Sequence, residues 1–225
     1  MSATHVVTGA ASGIGREVAL RLRDRGARLL LPVRSHQRVE ELTPVFPEAE
    51  IVVVDLADPG AVLAAPECPE VASVTHAAGV VELGRVGDLS TEDWQRQLAV
   101  NLVAPAVLTR RLLPGLRAAR GTVVFVNSGA GLRANPDWAA YAASKFGLRA
   151  LADALREEER EQGVRVTSVF PGRTATPMQR KVHDQEGQQY DEARWIRPET
   201  VAEAILSAID APEDAVIPEI TIRPR

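Results

Sequence analysis

The stretch Thr8-Gly9-Ala10-Ala11-Ser12-Gly13-Ile14-Gly15 joins a short apolar segment at 3–8 to a helical pattern at 13–25. Glycines in a strand-to-helix turn let the backbone approach a ligand closely, and the helix N-terminus presents free N–H groups. The spacing Gly-x-x-x-Gly-x-Gly differs from the commoner Gly-x-Gly-x-x-Gly. Two interpretations stay open: the turn binds a pyrophosphate, or its glycines serve only the packing of strand on helix.

Short apolar segments alternate with helical patterns along the whole chain, which is typical of parallel βαβ units. Seven strands are predicted, near 3–8, 28–33, 50–55, 71–76, 121–127, 164–170 and 215–222. Their continuous apolar character indicates a sheet that helices cover on both faces. The predicted fold class is α/β: a doubly wound Rossmann-type three-layer sandwich with a mostly parallel seven-stranded sheet.

Four segments have helix start and stop signals, near 13–25, 90–118, 138–162 and 198–210. Gly26 and Gly163 end the first and the third of these helices, and Pro198 begins the fourth. Ser90 or Thr91 opens the second. No linker or repeat divides the chain, so one domain over 1–225 is expected.

Composition excludes several classes of protein. A formal net charge of −4 without a basic stripe argues against a nucleic-acid partner. The single cysteine, Cys68, has no internal partner, and the four histidines have no metal-ligand spacing, so no metal is expected. The chain enters a strand without a signal-like leader and has no apolar run long enough to cross a membrane, which favours a cytoplasmic protein.

Tyr141 and Lys145 lie four positions apart in a predicted helix, and Ser128 precedes Tyr141 by thirteen positions. Positions i and i+4 share a helix face, so the ammonium can approach the phenol. A phenol pKa of about 10 is too high for exchange near neutrality, but a nearby cation favours the phenolate. Tyr141 would then exchange a proton with a substrate oxygen, although the pair alone is also a common chance arrangement.

The glycine motif, Asn101, Ser128, Tyr141, Lys145 and the turn Pro171-Gly172, in this order, resemble the short-chain dehydrogenase/reductase family over the whole chain. The resemblance implies that Ser128 hydrogen-bonds the reacting carbonyl or alcohol oxygen. It implies that Tyr141 is the general acid in reduction and the general base in oxidation. Lys145 would lower the pKa of Tyr141 and contact the nicotinamide ribose, and Asn101 would hold a water chain from Lys145.

The same resemblance implies a set of residues that bind a nicotinamide dinucleotide. They are Thr8, Gly9, Ser12, Gly13, Ile14, Gly15, Arg34, Ser35, Asp55, Leu56, Ala78, Gly79, Tyr141, Lys145, Pro171, Gly172, Thr174 and Thr176. One departure stands at His76-Ala77-Ala78-Gly79, where the family usually has Asn-Asn-Ala-Gly. A histidine at a strand end is more often a packed structural residue than a catalytic one.

Cofactor choice rests on charge at the end of the second strand. A carboxylate about twenty residues after the glycine turn would bind the ribose hydroxyl of NAD. Here Val33 and Arg34 occupy that place, and a guanidinium suits the 2′-phosphate of NADP. NADP(H) is therefore expected over NAD(H), with a solvated Arg34 as the alternative.

The function expected is interconversion of a carbonyl and a secondary alcohol by hydride transfer. A non-catalytic nucleotide-binding regulator, an NAD(H)-preferring dehydrogenase and an epimerase are the alternatives. Residues 172–197 read as a substrate-side loop whose pocket or packing residues, together with Trp138, are Met178, His183, Tyr190 and Trp195. Arg133 and Arg173 face an anionic substrate or are solvated.

Assembly through the helices near 90–118 and 138–162 is expected, as a homodimer or homotetramer. A dimer is favoured over a tetramer. In the second of these helices Phe146, Leu148, Leu151 and Leu155 supply apolar surface for association or for a wide core face.

Overall fold

The computed structural model describes residues 3–225 and is built around one seven-stranded sheet. Its strands are β1 Thr4–Thr8, β2 Leu29–Val33, β3 Glu50–Val53, β4 Val71–His76, β5 Thr122–Val126, β6 Arg165–Pro171 and β7 Glu219–Ile222. The order is β3-β2-β1-β4-β5-β6-β7, and every pair is parallel. The α/β prediction is confirmed, and the described sheet is parallel throughout rather than mostly parallel.

Eight α-helices flank the sheet within residues 3–225. They are α1 Gly13–Asp24, α2 His36–Leu42, α3 Pro59–Leu63, α4 Thr91–Leu98, α5 Ala104–Ala119, α6 Ala139–Glu158, α7 Pro177–Gln185 and α8 Pro198–Ile209. The single helix predicted over 90–118 is wrong in one respect, because a π-helical turn at Ala99–Val103 separates α4 from α5. Residues 172–197, predicted to be irregular, contain α7.

The last strand begins later than predicted. Pairing starts at Glu219 rather than at 215. Residues before it form a turn, in which Ala215 N donates to Pro212 O at 3.0 Å. Pro218 has no N–H to donate to a ladder. These features shorten β7 to its last four residues.

Two apolar cores lie on opposite faces of the sheet. Val18 and Leu22 of α1 pack with Val201 and Ile205 of α8 on one face. On the other face, buried side chains of α5 and of the later part of α6 belong to a second cluster, represented by Leu108, Leu112, Leu116 and Leu148. The helices cover both faces of the sheet but not the carboxyl ends of its strands, and the strand order reverses between β1 and β4. Ligands of open α/β sheets bind at such a reversal.

His76 at the end of β4 is a packed residue. Its ring stacks on Phe125 at a centroid distance of 5.1 Å, and its Nε2 lies 2.8 Å from Thr109 Oγ1. Burial lowers the pKa of His76 to about 3. His76, which stands where the family usually has asparagine, is therefore a packed structural residue, as predicted.

Candidate active site

The glycine turn after β1 depends on close backbone contacts. Gly9 and Gly13 have φ values of +75° and +56°, a region that side chains rarely adopt. A Cβ at Gly9 would lie 2.8 Å from the Ala78 nitrogen, and one at Gly15 would lie 2.6 Å from the Gly9 oxygen. Ser12 caps α1 without a side-chain hydrogen bond to the helix. Packing therefore requires Gly9 and Gly15, while the first N–H groups of α1 lack a capping side chain.

The Thr8 side chain stabilises this turn through hydrogen bonds. Its buried hydroxyl accepts hydrogen bonds from Ala77 N and Ala78 N, both at 3.1 Å. The hydroxyl thereby ties the residues that follow β4 to the end of β1. Thr8 itself does not line the cleft described next.

A cleft of about 810 Å³ opens at the carboxyl ends of the strands. It brings together thirteen of the predicted site residues: Gly9, Ser12, Gly13, Ile14, Ala78, Gly79, Ser128, Tyr141, Lys145, Pro171, Gly172, Thr174 and Thr176. Five separate parts of the chain thus face one space: the glycine turn, the residues after β4, the end of β5, α6, and the segment at and after the end of β6. This cleft is the candidate active site.

Tyr141 and Lys145 are both buried in the wall of the cleft. Lys145 Nζ donates to Val126 O at 2.9 Å and lies 5.8 Å from the centroid of the Tyr141 ring. Burial lowers the pKa of Lys145 to about 8, because it disfavours the charged ammonium. The two side chains lie near one another, as the helical spacing predicts, but the described hydrogen bond of the ammonium is to Val126 O.

The predicted direction of the Tyr141 pKa is wrong for this structure. Burial raises that pKa to about 12, and the Ser128 hydroxyl opposes the rise. A desolvated phenolate is costly, and the Lys145 ammonium points at the Val126 carbonyl instead of the phenol. Tyr141 is therefore a protonated phenol at neutral pH.

Ser128 is held at the end of β5 by its neighbour. Asn127 Oδ1 accepts from Ser128 N at 2.9 Å, and Asn127 Nδ2 donates to Lys145 O at 3.1 Å. Ser128 Oγ in turn accepts from Ala130 N at 3.1 Å. Asn127 lines the cleft and was not among the predicted residues. Its signal in the sequence is a polar residue between an apolar strand and Ser128.

Asn101 lies in the π-helical turn and outside the cleft lining. Its Oδ1 accepts from Val80 N at 2.9 Å, while its Nδ2 donates to Val80 O at 2.9 Å and Ser144 Oγ at 3.0 Å. These bonds fix the chain after Gly79 against α6. The water chain that the resemblance implies for Asn101 stays a prediction.

Five other predicted residues also lie outside the cleft lining. Gly15 packs on the turn, Arg34 and Ser35 follow β2, and Asp55 and Leu56 follow β3. Arg34 and Asp55 are exposed, and Asp55 Oδ1 accepts from Ala57 N at 2.9 Å. Since β2 and β3 run parallel to β1, the last four residues lie along the same edge of the sheet as Gly9.

The predicted substrate-pocket residues divide into two groups. Trp138 and Met178 line the cleft, and Trp138 meets the Tyr141 ring edge-on at 5.7 Å. Tyr190 and Trp195 each pack against buried His183 at 5.3 Å. For His183, Tyr190 and Trp195 the packing interpretation is the one observed.

Helix α7 is fastened to the loop after β4. Lys181 Nζ donates to Val81 O at 3.0 Å and to Glu82 Oε2 at 2.6 Å. Gln185 Oε1 accepts from Leu83 N at 3.2 Å. Since Met178 and Val182 of the same helix line the cleft, α7 forms part of its wall.

Two features, a metal-binding cluster and a membrane-spanning helix, are absent from residues 3–225. No cluster of three or more His, Cys, Asp or Glu side chains has the arrangement of a metal site there. In the same residues, no helix combines the length and the apolar character that a membrane crossing requires.

Comparison with known proteins identifies the family. The short chain dehydrogenase family matches residues 3–187. This chain belongs to that family of oxidoreductases.

One relative and two solved structures illustrate the similarity of this chain to known proteins. Glycine betaine reductase ATRR of Emericella nidulans is 36% identical over 234 residues, and the match covers 98% of this chain but only 18% of that protein. A putative NAD(P) dependent gluconate 5-dehydrogenase from Beutenbergia cavernae with bound NADP is 30% identical, with a TM-score of 0.85 over 98% of this chain and 95% of that one. A metagenomic short-chain oxidoreductase in complex with NADP is also 30% identical, with a TM-score of 0.81 over 100% and 99%.

Proposed function

We propose that this protein is an NADP(H)-dependent oxidoreductase that interconverts a carbonyl and a secondary alcohol. The observation that carries the proposal is the meeting of Ser128, Tyr141 and Lys145 in the cleft that the glycine turn also lines. A phenol, a hydroxyl and an ammonium around one space suit a reacting oxygen that gains or loses a proton. Residues 172–197 form the substrate side of this cleft in the proposal.

The residues around the glycine turn fit a dinucleotide. Gly9 and Gly13 expose backbone at positive φ, and the N–H groups at the start of α1 suit a pyrophosphate. Thr174 and Thr176 also line the cleft and would hold the nicotinamide side. When bound, the nicotinamide supplies or accepts the hydride.

Tyr141 is assigned as the group that transfers the proton. Because its pKa is raised to about 12, the phenol is protonated at neutral pH and ready to donate to a forming alkoxide. The Ser128 hydroxyl would hydrogen-bond the same substrate oxygen. Its hydrogen bond to Tyr141 also opposes the rise of the phenol pKa and so favours the phenolate that remains. In the oxidative direction, burial opposes the phenolate, so the base form depends on the neighbouring cation.

Lys145 is that cation. Its ammonium is fixed by the Val126 carbonyl and, with a pKa of about 8, is mostly charged at pH 7. The charge stabilises the phenolate that forms as Tyr141 gives up its proton. Asn127 donates to the main-chain carbonyl of Lys145 and so helps to position this residue.

NADP is proposed over NAD because of the end of β2. Val33 offers no carboxylate to a ribose hydroxyl, and Arg34 is exposed along the edge of the sheet that carries Gly9. The two solved relatives with NADP support the same choice. NAD preference is the alternative, since Ser12 leaves the glycine turn without a second cation.

The test is consumption of NADPH with a panel of ketones, aldehydes and quinones, followed by absorbance. We expect turnover with at least one carbonyl compound and its loss in Tyr141→Phe. Tight NADPH binding in a calorimeter, without turnover on any member of a broad panel, would instead favour the non-catalytic regulator.

A further inference from the structure

The charge of the cleft is opposite to that of the whole protein. The chain carries a formal net charge of −4. The charged residues that line the cleft, however, are four cations and one carboxylate: Arg133, Lys145, Arg173, Arg223 and Glu186. An excess of cations in a cleft of an acidic protein attracts anions to that cleft.

Two of these charges cancel each other. Arg173 Nη1 and Nη2 donate to the two carboxylate oxygens of Glu186 at 2.8 and 2.7 Å. The pair fastens the segment after β6 to the end of α7. Lys145 is assigned to the proton chemistry, which leaves Arg133 and Arg223 as guanidinium groups without an assigned role.

Arg223 is positioned close to Ser128. Its Nη1 donates to Phe170 O at 3.1 Å and lies 3.5 Å from Ile222 O, so its polar contacts within residues 3–225 are backbone carbonyls. A Cβ built on Gly129, the residue after Ser128, would lie 3.6 Å from Nη1 and 4.0 Å from Nη2. A guanidinium therefore stands beside the residue that follows the proposed oxygen-binding serine, and no described carboxylate pairs with its charge.

Arg133 lies on the same side of the cleft. It follows the short helical turn Gly129–Gly131 that Ser128 caps, and its N donates to Gly129 O at 3.2 Å. Its side chain is exposed and lines the cleft. Both free guanidinium groups thus belong to the segments that surround Ser128 and not to the glycine turn.

We propose that the substrate carries a carboxylate in addition to its reacting carbonyl or hydroxyl, and that Arg223 binds it. This inference rests on the proposed function. A guanidinium matches a carboxylate through parallel charge-assisted hydrogen bonds, and the bond to Phe170 O fixes the orientation of its remaining donors. Arg133 adds a second positive charge, and both arginines are exposed. Holding the carboxylate beside Ser128 would fix the reacting oxygen near Tyr141.

The experiment compares keto acids of increasing chain length with their methyl esters and with the corresponding keto phosphates, by kcat/KM with NADPH. We expect the wild type to prefer one acid over its ester by about tenfold or more, the fold change of one charge-assisted hydrogen bond. Arg223→Gln should reduce that acid-to-ester ratio toward one, and Arg223→Lys should retain part of it. Arg225→Gln, two positions along the same segment, is the matched control and should keep the ratio.

A binding measurement separates this inference from the proposed function. Calorimetry with unreactive alkanoates should give weaker binding to Arg223→Gln than to wild type and Arg225→Gln. If NADPH is consumed but esters or phosphates are preferred, or Arg223→Gln keeps the acid preference, the carboxylate assignment is wrong. If no carbonyl compound is reduced but alkanoates bind through Arg223, the proposed function fails and the anion site stands.

Discussion

The Lys145 ammonium donates to the main-chain oxygen of Val126 at 2.9 Å, so the end of β5 fixes the cation beside the Tyr141 ring. The same strand leads directly into Asn127 and Ser128. One strand end therefore positions the cation, the hydroxyl and, through Asn127, the carbonyl of Lys145. The proposed reaction centre depends on β5 as much as on α6.

Tyr141→Phe is expected to reduce kcat by about a hundredfold to ten-thousandfold, the usual contribution of a positioned proton donor. NADPH affinity should change little, because the ring keeps its packing against Trp138. Steady-state kinetics and a cofactor titration measure the two quantities. A kcat within a few-fold of wild type, on any substrate found, would show that another group transfers the proton.

Carbonyl reduction is expected to slow as the pH rises through about 8. Burial places the pKa of Lys145 at about 8, so above this pH the ammonium loses the charge that stabilises the phenolate. Tyr141 remains protonated there because its pKa is raised to about 12. In Lys145→Arg the side chain stays charged over this range, so a slower enzyme without the decline is expected. A decline in both proteins would assign it to another group.

Cofactor preference is expected to be clear but not absolute. Loss of a charge-assisted contact to phosphate weakens binding about ten- to a hundredfold, and the lower end is expected for exposed Arg34. Titration of wild type and Arg34→Ser with NADPH and NADH measures the difference. Val33→Asp with Arg34→Ser should reverse the preference, because the new carboxylate repels the 2′-phosphate. Exposed Arg110 supplies the control, Arg110→Ser, and equal wild-type affinities for both cofactors would refute the NADP assignment.

Acid is expected to destabilise the fold through His76. Its pKa is about 3 in the folded protein and 6.5 in the reference state, so protonation favours the unfolded chain. The stabilisation from keeping this ring neutral is present above pH 6.5 and is lost as the pH falls toward 3. At about 1.4 kcal/mol per pKa unit, the loss is on the order of 5 kcal/mol. Denaturant unfolding at several pH values measures this loss. The free energy of unfolding of His76→Asn should decline less in acid than that of wild type. His36→Asn, at an exposed histidine, should decline as much as wild type.

A homodimer is expected at micromolar concentration. Of the four apolar residues predicted for its interface, Leu148 and Leu155 are buried, Leu151 packs against the core, and Phe146 remains 43% exposed. Phe146→Glu should therefore shift sedimentation toward the monomer. Val216→Glu, at an exposed residue outside α5 and α6, is the control. Wild-type sedimentation as a monomer would exclude the dimer.

The seven strands were predictable because each is a continuous apolar run between turn residues. The short helices α2 and α3 were not, since 7 and 5 residues are too few to establish a period. The break between α4 and α5 was missed for another reason. The π-helical turn is stabilised by Asn101, whose partners Val80 and Ser144 are remote in sequence.

The site was predictable where a motif carried it and not elsewhere. Tyr141, Lys145 and the glycine turn have fixed spacing, so the sequence identifies them. Arg223 has no motif, and it reaches the cleft only because β7 pairs with β6 and carries it past Phe170. The direction of the Tyr141 pKa depends on burial, which the spacing of Tyr141 and Lys145 does not report.

The bonds from Ala77 N and Ala78 N to the Thr8 hydroxyl join positions 69 and 70 residues apart. The glycine turn at the beginning of the chain is therefore complete only after β4 has been synthesised and has docked beside β1. Such distant contacts form late, because a long loop must close before they stabilise anything. A nascent chain that ends before Ala78 lacks the wall against which Gly9 packs, so the proposed dinucleotide site cannot form before that residue has left the ribosome.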